Sequence, residues 1–417
     1  MGRDARADER AEEVLASLAA LGGDDVRWRE GRVFSLAYYA GPEVEDLADR
    51  ALAMYASTNG LNADAFPSLR RIQADVVNTA LGWLDAPEGA AGFMTSGGTE
   101  SILLAVKAAR ELARRERGTR EANVVLPTSA HAAFEKACHY FDLEARRVPV
   151  GDDWRADPRA MEAAVDANTV LLVVSAPQYP QGVIDPVGEV ARIAAERGLP
   201  CHVDACMGGV TLHFMERLGE AVRPWNFAVP GVTSMSVDLH KFGYTSKGAS
   251  VIAYRTRALR SHQTFVTDNW LGGLYGSSGI LGTKSGGPMA AAWAVTRYLG
   301  DEGYLELTRL ARDAARRLAD GLARIPGLIV SSPPDATLVS FRRSDGVDPG
   351  GLADALWSEG WYVDRQGPPP SLHCTVNAAH ASTVDEFVAT VARLVTTDPR
   401  SMGTVPASGP ASYGTVE

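Results

Sequence analysis

A lysine at the end of an apolar run is the residue of this chain best suited to covalent chemistry. Ser234-Met-Ser-Val-Asp238-Leu-His240-Lys241 reads as a strand closing on a polar cluster, with the turn-forming Gly243 just beyond it. Only five lysines, at 107, 136, 241, 247 and 284, stand among the 41 Lys and Arg residues, and two of them fall here. A desolvated lysine can lose its proton and attack a carbonyl, which arginine effectively cannot. An acid closes a second apolar strand, Leu199-Pro-Cys-His-Val-Asp204. A carboxylate buried there needs a cationic partner, because desolvating it alone costs too much. The third group is a glycine loop, Thr95-Ser96-Gly97-Gly98-Thr99-Glu100, running into a helix with Ile102, Val106 and Ala109 on one face. Free N–H groups and the positive dipole end of such a helix suit a phosphate, with Ser and Thr hydroxyls as further donors. Each group also has an ordinary alternative: a loop with a helix cap, a turn-capping Asp, a surface Lys.

The elements that must position these residues follow from the hydrophobic pattern. Between about Tyr55 and Val251, β-branched runs at Asn123–Leu126, Thr169–Ser175, Leu199–Asp204 and Thr233–Asp238 alternate with helical stretches at Ser101–Glu116, Ala132–Phe141 and Val187–Arg197. That alternation predicts an α/β domain with a mainly parallel, helix-covered sheet, whose ligand site lies at the carboxyl ends of the strands. After Gly286-Gly287-Pro288 the pattern changes to helices at Met289–Leu299 and Tyr304–Arg324, then short strands near Leu328–Ser332 and Thr337–Phe341. The expected division is an N-terminal helical segment over 1–54, a large domain over 55–288, a smaller α+β domain over 289–395 and a flexible Ser/Thr/Gly/Pro-rich tail over 396–417. Within the first segment, a helix from Asp4 to Leu21 sets Val14, Leu15, Leu18 and Leu21 on one stripe, fit to cap a domain or a partner chain.

Composition removes several classes of function. With 417 residues, 46% of them hydrophobic and 22% charged, the chain can bury a large core. A net charge of −10 and no long basic stripe disfavour a nucleic-acid partner and favour a small molecule. No apolar run reaches membrane-spanning length and no signal-peptide pattern opens the chain, so the expectation is a cytoplasmic protein. Cys138, Cys201, Cys206 and Cys374 show no metal-ligand spacing and read as reduced thiols, so no metal site is expected.

Together the three groups resemble the cofactor site of fold-type I pyridoxal 5′-phosphate (PLP) enzymes, and most closely the sphingosine-1-phosphate lyase branch of the group II decarboxylase family. The resemblance runs from about Val33 to Val391. It is carried by Phe93-Met-Thr-Ser-Gly-Gly-Thr-Glu-Ser-Ile-Leu-Leu-Ala105, Ser129-Ala-His131-Ala-Ala-Phe-Glu-Lys136, Pro177-Gln178-Tyr-Pro-Gln-Gly-Val-Ile-Asp185-Pro, His202-Val-Asp204-Ala-Cys-Met-Gly-Gly209 and Asp238-Leu-His240-Lys241-Phe-Gly-Tyr244-Thr-Ser-Lys247-Gly. It implies that Lys241 is the Schiff-base lysine, that Asp204 pairs with the pyridine nitrogen and that His131 stacks on the ring. His240, Gly97, Gly98 and Thr99 would hold the cofactor phosphate, with Gln178 also against the cofactor. Fold-type I relatives complete the pocket with a neighbouring chain, so a homodimer is expected, with Tyr275-Gly276-Ser277 or Gly282-Thr283 contributed in trans.

The lyase branch cleaves Cα–Cβ of a phosphorylated 2-amino-3-hydroxy compound by retro-aldol chemistry, giving an aldehyde and phosphoethanolamine. The matching substrate positions are Tyr39, Tyr244 and Lys247: the lysine would neutralise a phosphate, and the phenols would donate hydrogen bonds or move the hydroxyl proton. Three departures stand out. Asn62 in Asn59-Gly-Leu-Asn62 replaces a histidine expected near the substrate phosphate, Lys284 replaces an arginine, and Phe242 replaces a tyrosine. The alternative reading is an amino-acid decarboxylase on the same cofactor, and a third is a non-catalytic protein on this fold, against which the presence of Lys241 and Asp204 argues.

Overall fold

The computed structural model describes residues 5–62 and 64–397; of the tail expected over 396–417, residues 396 and 397 instead close a helix (Val384–Thr397) and 398–417 lie outside the described residues. Helix α1 (Ala5–Leu21) carries the apolar stripe read from the sequence, and Val14, Leu15, Leu18 and Leu21 are all exposed. Helices α2 (Pro42–Tyr55) and α3 (Pro67–Trp83) both begin on proline, whose fixed φ and missing N–H suit the first helical turn.

The α/β pattern then follows as β1 (Ala91–Thr95), α4 (Gly98–Arg117), β2 (Asn123–Pro127), α5 (Ala133–Phe141), β3 (Glu144–Val148), α6 (Pro158–Ala163), β4 (Thr169–Ser175), α7 (Val187–Glu196), β5 (Cys201–Asp204), α8 (Thr211–Arg217), β6 (Ser234–Val237) and β7 (Ser250–Tyr254). These strands form one seven-stranded sheet in the order β1-β7-β6-β5-β4-β2-β3. Only β7 runs against the others, pairing antiparallel with both β1 and β6. Every residue of β2, β4, β5 and β6 is buried, as strands covered by helices on both faces must be.

Beyond the sheet come α9 (Arg257–Ser261) and a two-stranded ribbon of β8 (Phe265–Thr267) and β9 (Tyr275–Ser277). Helix α10 (Gly287–Ala323) then joins the two parts of the protein, kinked at Gly300, whose φ of 51° is open to glycine at little cost. Its first half, with Met289, Ala291 and Val295, packs into the large core; its second half, with Ala314, Leu318 and Leu322, packs on the small domain. The small domain adds β10 (Leu328–Val330), β11 (Leu338–Arg343), α11 (Gly350–Ser358), β12 (Asp364–Gln366), β13 (Ser371–Thr375) and α12 (Val384–Thr397), with an antiparallel sheet ordered β10-β11-β13-β12. The two helices expected at 289–299 and 304–324 are the two halves of α10, which meet at the non-helical backbone of Gly300 and together link both domains. The N-terminal segment is shared as well: Val33 bridges Tyr362, and Phe34 is fully buried in the small-domain core.

Candidate active site

The carboxyl ends of β1, β2, β4, β5 and β6 open into loops that wall one cavity of about 320 Å³. That is the edge at which open α/β sheets bind ligands, and the volume suits a small molecule. Gly97, Gly98, Thr99, His131, Asp204, His240 and Lys241 all line it, joined by Tyr179, Cys206 and Asp238. Residues spread over 145 positions of sequence thus meet because each follows a neighbouring strand.

At the cavity floor, Lys241 Nζ lies 3.0 Å from Asp238 Oδ2, and His240 Nε2 lies 3.7 Å from the same oxygen. Burial alone would raise the Asp238 pKa; Lys241 and then His240 outweigh it and hold the carboxyl below its usual range. Asp204 Oδ1 accepts from Cys206 N at 3.0 Å and from Ser236 Oγ at 3.2 Å. Behind it, His202 Nε2 stands 3.3 Å from Ser236 Oγ and its Nδ1 2.9 Å from Ser234 Oγ, and burial lowers the His202 pKa to about 4. A neutral imidazole therefore braces the serine that braces Asp204. Burial likewise lowers the pKa of His131, whose Nδ1 accepts from Ala133 N at 3.1 Å, leaving the proton on Nε2.

The glycine loop is shaped by its acid. Glu100 Oε2 accepts from both the amide and the hydroxyl of Ser96 at 2.7 Å, while its Oε1 accepts from Ile280 N at 2.8 Å. Gly98 opens α4 against the floor: a Cβ there would stand 2.7 Å from Asp238 Oδ2 and 2.8 Å from Cys206 Sγ, so no larger residue fits without displacement.

The chain is similar to known proteins. The pyridoxal-dependent decarboxylase conserved domain matches residues 23–344. The chain belongs to that family. Among its relatives, the rice sphingosine-1-phosphate lyase is 37% identical over 410 residues, covering 96% of this chain and 76% of the rice protein. A probable L-tyrosine/L-aspartate decarboxylase of Methanocella arvoryzae is 33% identical over 380 residues, covering 90% and 96% of the two chains. The solved structure of a Burkholderia pseudomallei sphingosine-1-phosphate lyase superposes with a TM-score of 0.88 at 36% identity, covering 95% of this chain and 91% of that one. The fold is accordingly fold type I, and the family's cofactor is pyridoxal phosphate.

The residues present fit that cofactor. Among the described residues, Asp238 Oδ1 and His240 Nδ1 are buried without a hydrogen-bond partner, polar atoms that a bound group would satisfy. The start of α4 offers unpaired N–H groups to a phosphate, Asp204 offers a braced carboxylate to a protonated ring nitrogen, and Lys241 offers the amine.

Other expected site residues stand elsewhere in this family member. Gln178 does not line the cavity: its Nε2 donates to Gln181 Oε1 and Trp154 O, and its Oε1 accepts from Gln181 N, so its amide is consumed by its own turn. Tyr244 is buried outside the cavity lining, and its phenolic oxygen accepts from Ala378 N at 3.2 Å, tying the lysine loop to the small domain. Asn62 caps its own exposed turn, accepting from Asp64 N and Ala65 N at 3.1 Å. Lys284 donates to Met94 O at 3.1 Å and packs over Phe93. Gly276 and Ser277 lie in the β8–β9 ribbon. Tyr39 is half-buried off the cavity lining, and it is Tyr38 whose ring faces Lys247 and whose hydroxyl reaches Met207 Sδ, 3.8 Å away in the cavity wall. Lys247 Nζ sits 4.9 Å from that ring centroid and 3.3 Å from His240 O.

Proposed function

We propose that the chain is a PLP-dependent carbon–carbon lyase that cleaves a phosphorylated 2-amino-3-hydroxy compound, of the kind represented by sphingosine 1-phosphate, into an aldehyde and phosphoethanolamine. The observation that carries the reading is Lys247. It makes no ion pair among the described residues, and it stands beside the cavity on the loop that carries Lys241. Although its side chain remains exposed, burial of its surroundings, followed by repulsion from Lys241, lowers its pKa to about 8. A cation so placed is relieved by an anion that is not the cofactor's own phosphate.

Bound pyridoxal phosphate supplies an electron sink for the bond broken at the substrate Cα. The chain's residues divide the remaining work. Lys241 is the amine that would hold the cofactor, and Asp204, braced by Ser236 and Cys206, would keep a proton on its ring nitrogen. His131, whose pKa burial lowers, lines the cavity and would lie against the cofactor ring without adding charge. Lys247 and Tyr38 hold the substrate phosphate end and so decide which bond is aligned to break. Measured with sphinganine 1-phosphate, Lys247→Ala should lose roughly ten- to hundredfold in kcat/KM, the worth of one charge-assisted contact, while keeping the visible absorbance of the bound cofactor. Unchanged turnover of every phosphorylated amino alcohol would sink the reading, and the decarboxylase activity of the Methanocella relative would then be the one to pursue.

The proposal extends to a homodimer in a reducing, cytoplasmic compartment. Phe265, Val266, Trp270, Leu271 and Leu274 are exposed along the β8–β9 ribbon, an apolar patch suited to a second copy of the chain. Its far stem is tied to the glycine loop through Ile280 N and Glu100. All four cysteines are buried and unpaired, which supports the compartment. Among the described residues no helix is long and apolar enough to cross a membrane.

A further inference from the structure

Tyr179 lines the cavity, yet its hydroxyl belongs to a cluster drawn from three separate parts of the chain. The Tyr179 hydroxyl donates to Asp364 Oδ2 at 2.5 Å, and Ser35 Oγ donates to the same oxygen at 2.5 Å. Ser35 comes from the N-terminal strap, Tyr179 from the loop after β4, and Asp364 from β12 of the small domain. The Tyr179 ring also stacks on His373 of β13, with centroids 4.0 Å apart. The next residue is gripped from the same side, since Pro180 O accepts from Gln366 Nε2 at 2.6 Å. Two residues on, Gly182 packs so closely on β11 that a Cβ would stand 2.4 Å from Leu338 O. The loop that forms one wall of the active site is therefore fastened to the small domain along its length. Asp204 and Lys241 line the same cavity from other strand ends of the large domain.

We infer that Asp364 is a positioning residue: by holding the Tyr179 hydroxyl it fixes the ring in the cavity wall, so the seating of the small domain on the large one sets substrate affinity. Asp364 and Ser35 do not line the cavity; their effect passes through Tyr179. A carboxylate accepting two hydroxyl protons is a charge-assisted joint, stronger than a neutral contact and directional enough to fix a ring. The inference concerns substrate holding at the proposed lyase site, but the joint itself exists whichever reaction runs there.

The test uses full-length holoenzyme carrying Tyr179→Phe, Asp364→Asn or both. Three quantities are read: hydrogen–deuterium exchange of the 178–184 amides; the concentration of phosphoethanolamine, or of L-tyrosine as a second probe, that half-saturates the change in cofactor absorbance; and kcat for aldehyde release from sphinganine 1-phosphate. Expected are faster exchange in both single variants, half-saturation raised by about tenfold with kcat within about threefold, and a double variant no worse than either single one. Unaltered exchange would overturn the inference, and so would faster exchange with unchanged probe binding, since the cluster would then serve stability alone. Additive losses in the double variant would also overturn it. A failed lyase reading would show differently, as absence of aldehyde product with the exchange and L-tyrosine readings intact.

Discussion

Lys241 Nζ stands 3.0 Å from Asp238 Oδ2, an ion pair between two residues that line the cavity. The pair sets the amine against a buried carboxylate that also faces His240 at 3.7 Å. Because Asp238 is buried and held below the usual carboxylate range, its pairing stabilises the folded protein above the unfolded-state value of about 3.9 and ceases to do so as pH falls through the folded value. Thermal unfolding of the cofactor-free protein should therefore lose stability below about pH 4, and Asp238→Asn should show a shallower acid loss from a lower starting point. Parallel acid profiles for the two proteins would remove Asp238 from that role.

Lys241→Ala should abolish the visible absorbance of the bound cofactor and the borohydride-stable adduct, with the secondary structure retained. Peptide mapping of the reduced wild-type protein should find the adduct at Lys241 and at none of the lysines at 107, 136, 247 and 284. An adduct at Lys247 would reverse the roles given to the two lysines.

Gly98→Ala tests the packing of the glycine loop. The added methyl must displace Asp238 or Cys206, and overpacking of this kind typically costs ~1–3 kcal/mol. Pyridoxal phosphate affinity, measured by titration of absorbance, should fall by about tenfold or more while the far-ultraviolet dichroism stays unchanged. Wild-type affinity would place the cofactor phosphate away from the start of α4.

Much of the site could be read from sequence because the relevant side chains end apolar strands, and a parallel sheet brings its strand ends together. Asp204, His240 and Lys241 are of this kind. The contributions that could not be read depend on side-chain direction or on distant partners. Leu36 adopts a positive φ of 64°, so the strap turns just before the two tyrosines and presents Tyr38, not Tyr39, to Lys247. Gln178 follows Pro177 in a tight turn whose own groups use up its amide, which spacing cannot show. Asp238 sat in the motif beside Lys241, and its place three residues earlier on the same turn was the available signal for their pairing. Tyr179 meets Asp364 across 185 residues, a contact that no local pattern announces. Nor does composition reveal that the two halves of α10, which meet at Gly300, pack into different cores.

The ribbon supplies a test of the assembly. Leu271 and Trp270 are exposed in the single chain, and an interface built on them should not tolerate a charge. Leu271→Asp should shift the protein from dimer to monomer in light scattering and lower activity together with cofactor retention. A fully active monomer, wild type or variant, would contradict both the interface and the contribution of Gly276 or Ser277 in trans.

The most direct measurement of the central claim is a product assay on purified holoenzyme, with sphinganine 1-phosphate and a panel of amino acids, detecting aldehyde, phosphoethanolamine and CO2 in parallel. Cleavage between Cα and Cβ should yield aldehyde and phosphoethanolamine in equal amounts, without CO2 from any amino acid at a comparable rate. Release of CO2 from a free amino acid, with no aldehyde from the phosphorylated amino alcohol, would contradict the lyase account and make the chain a decarboxylase.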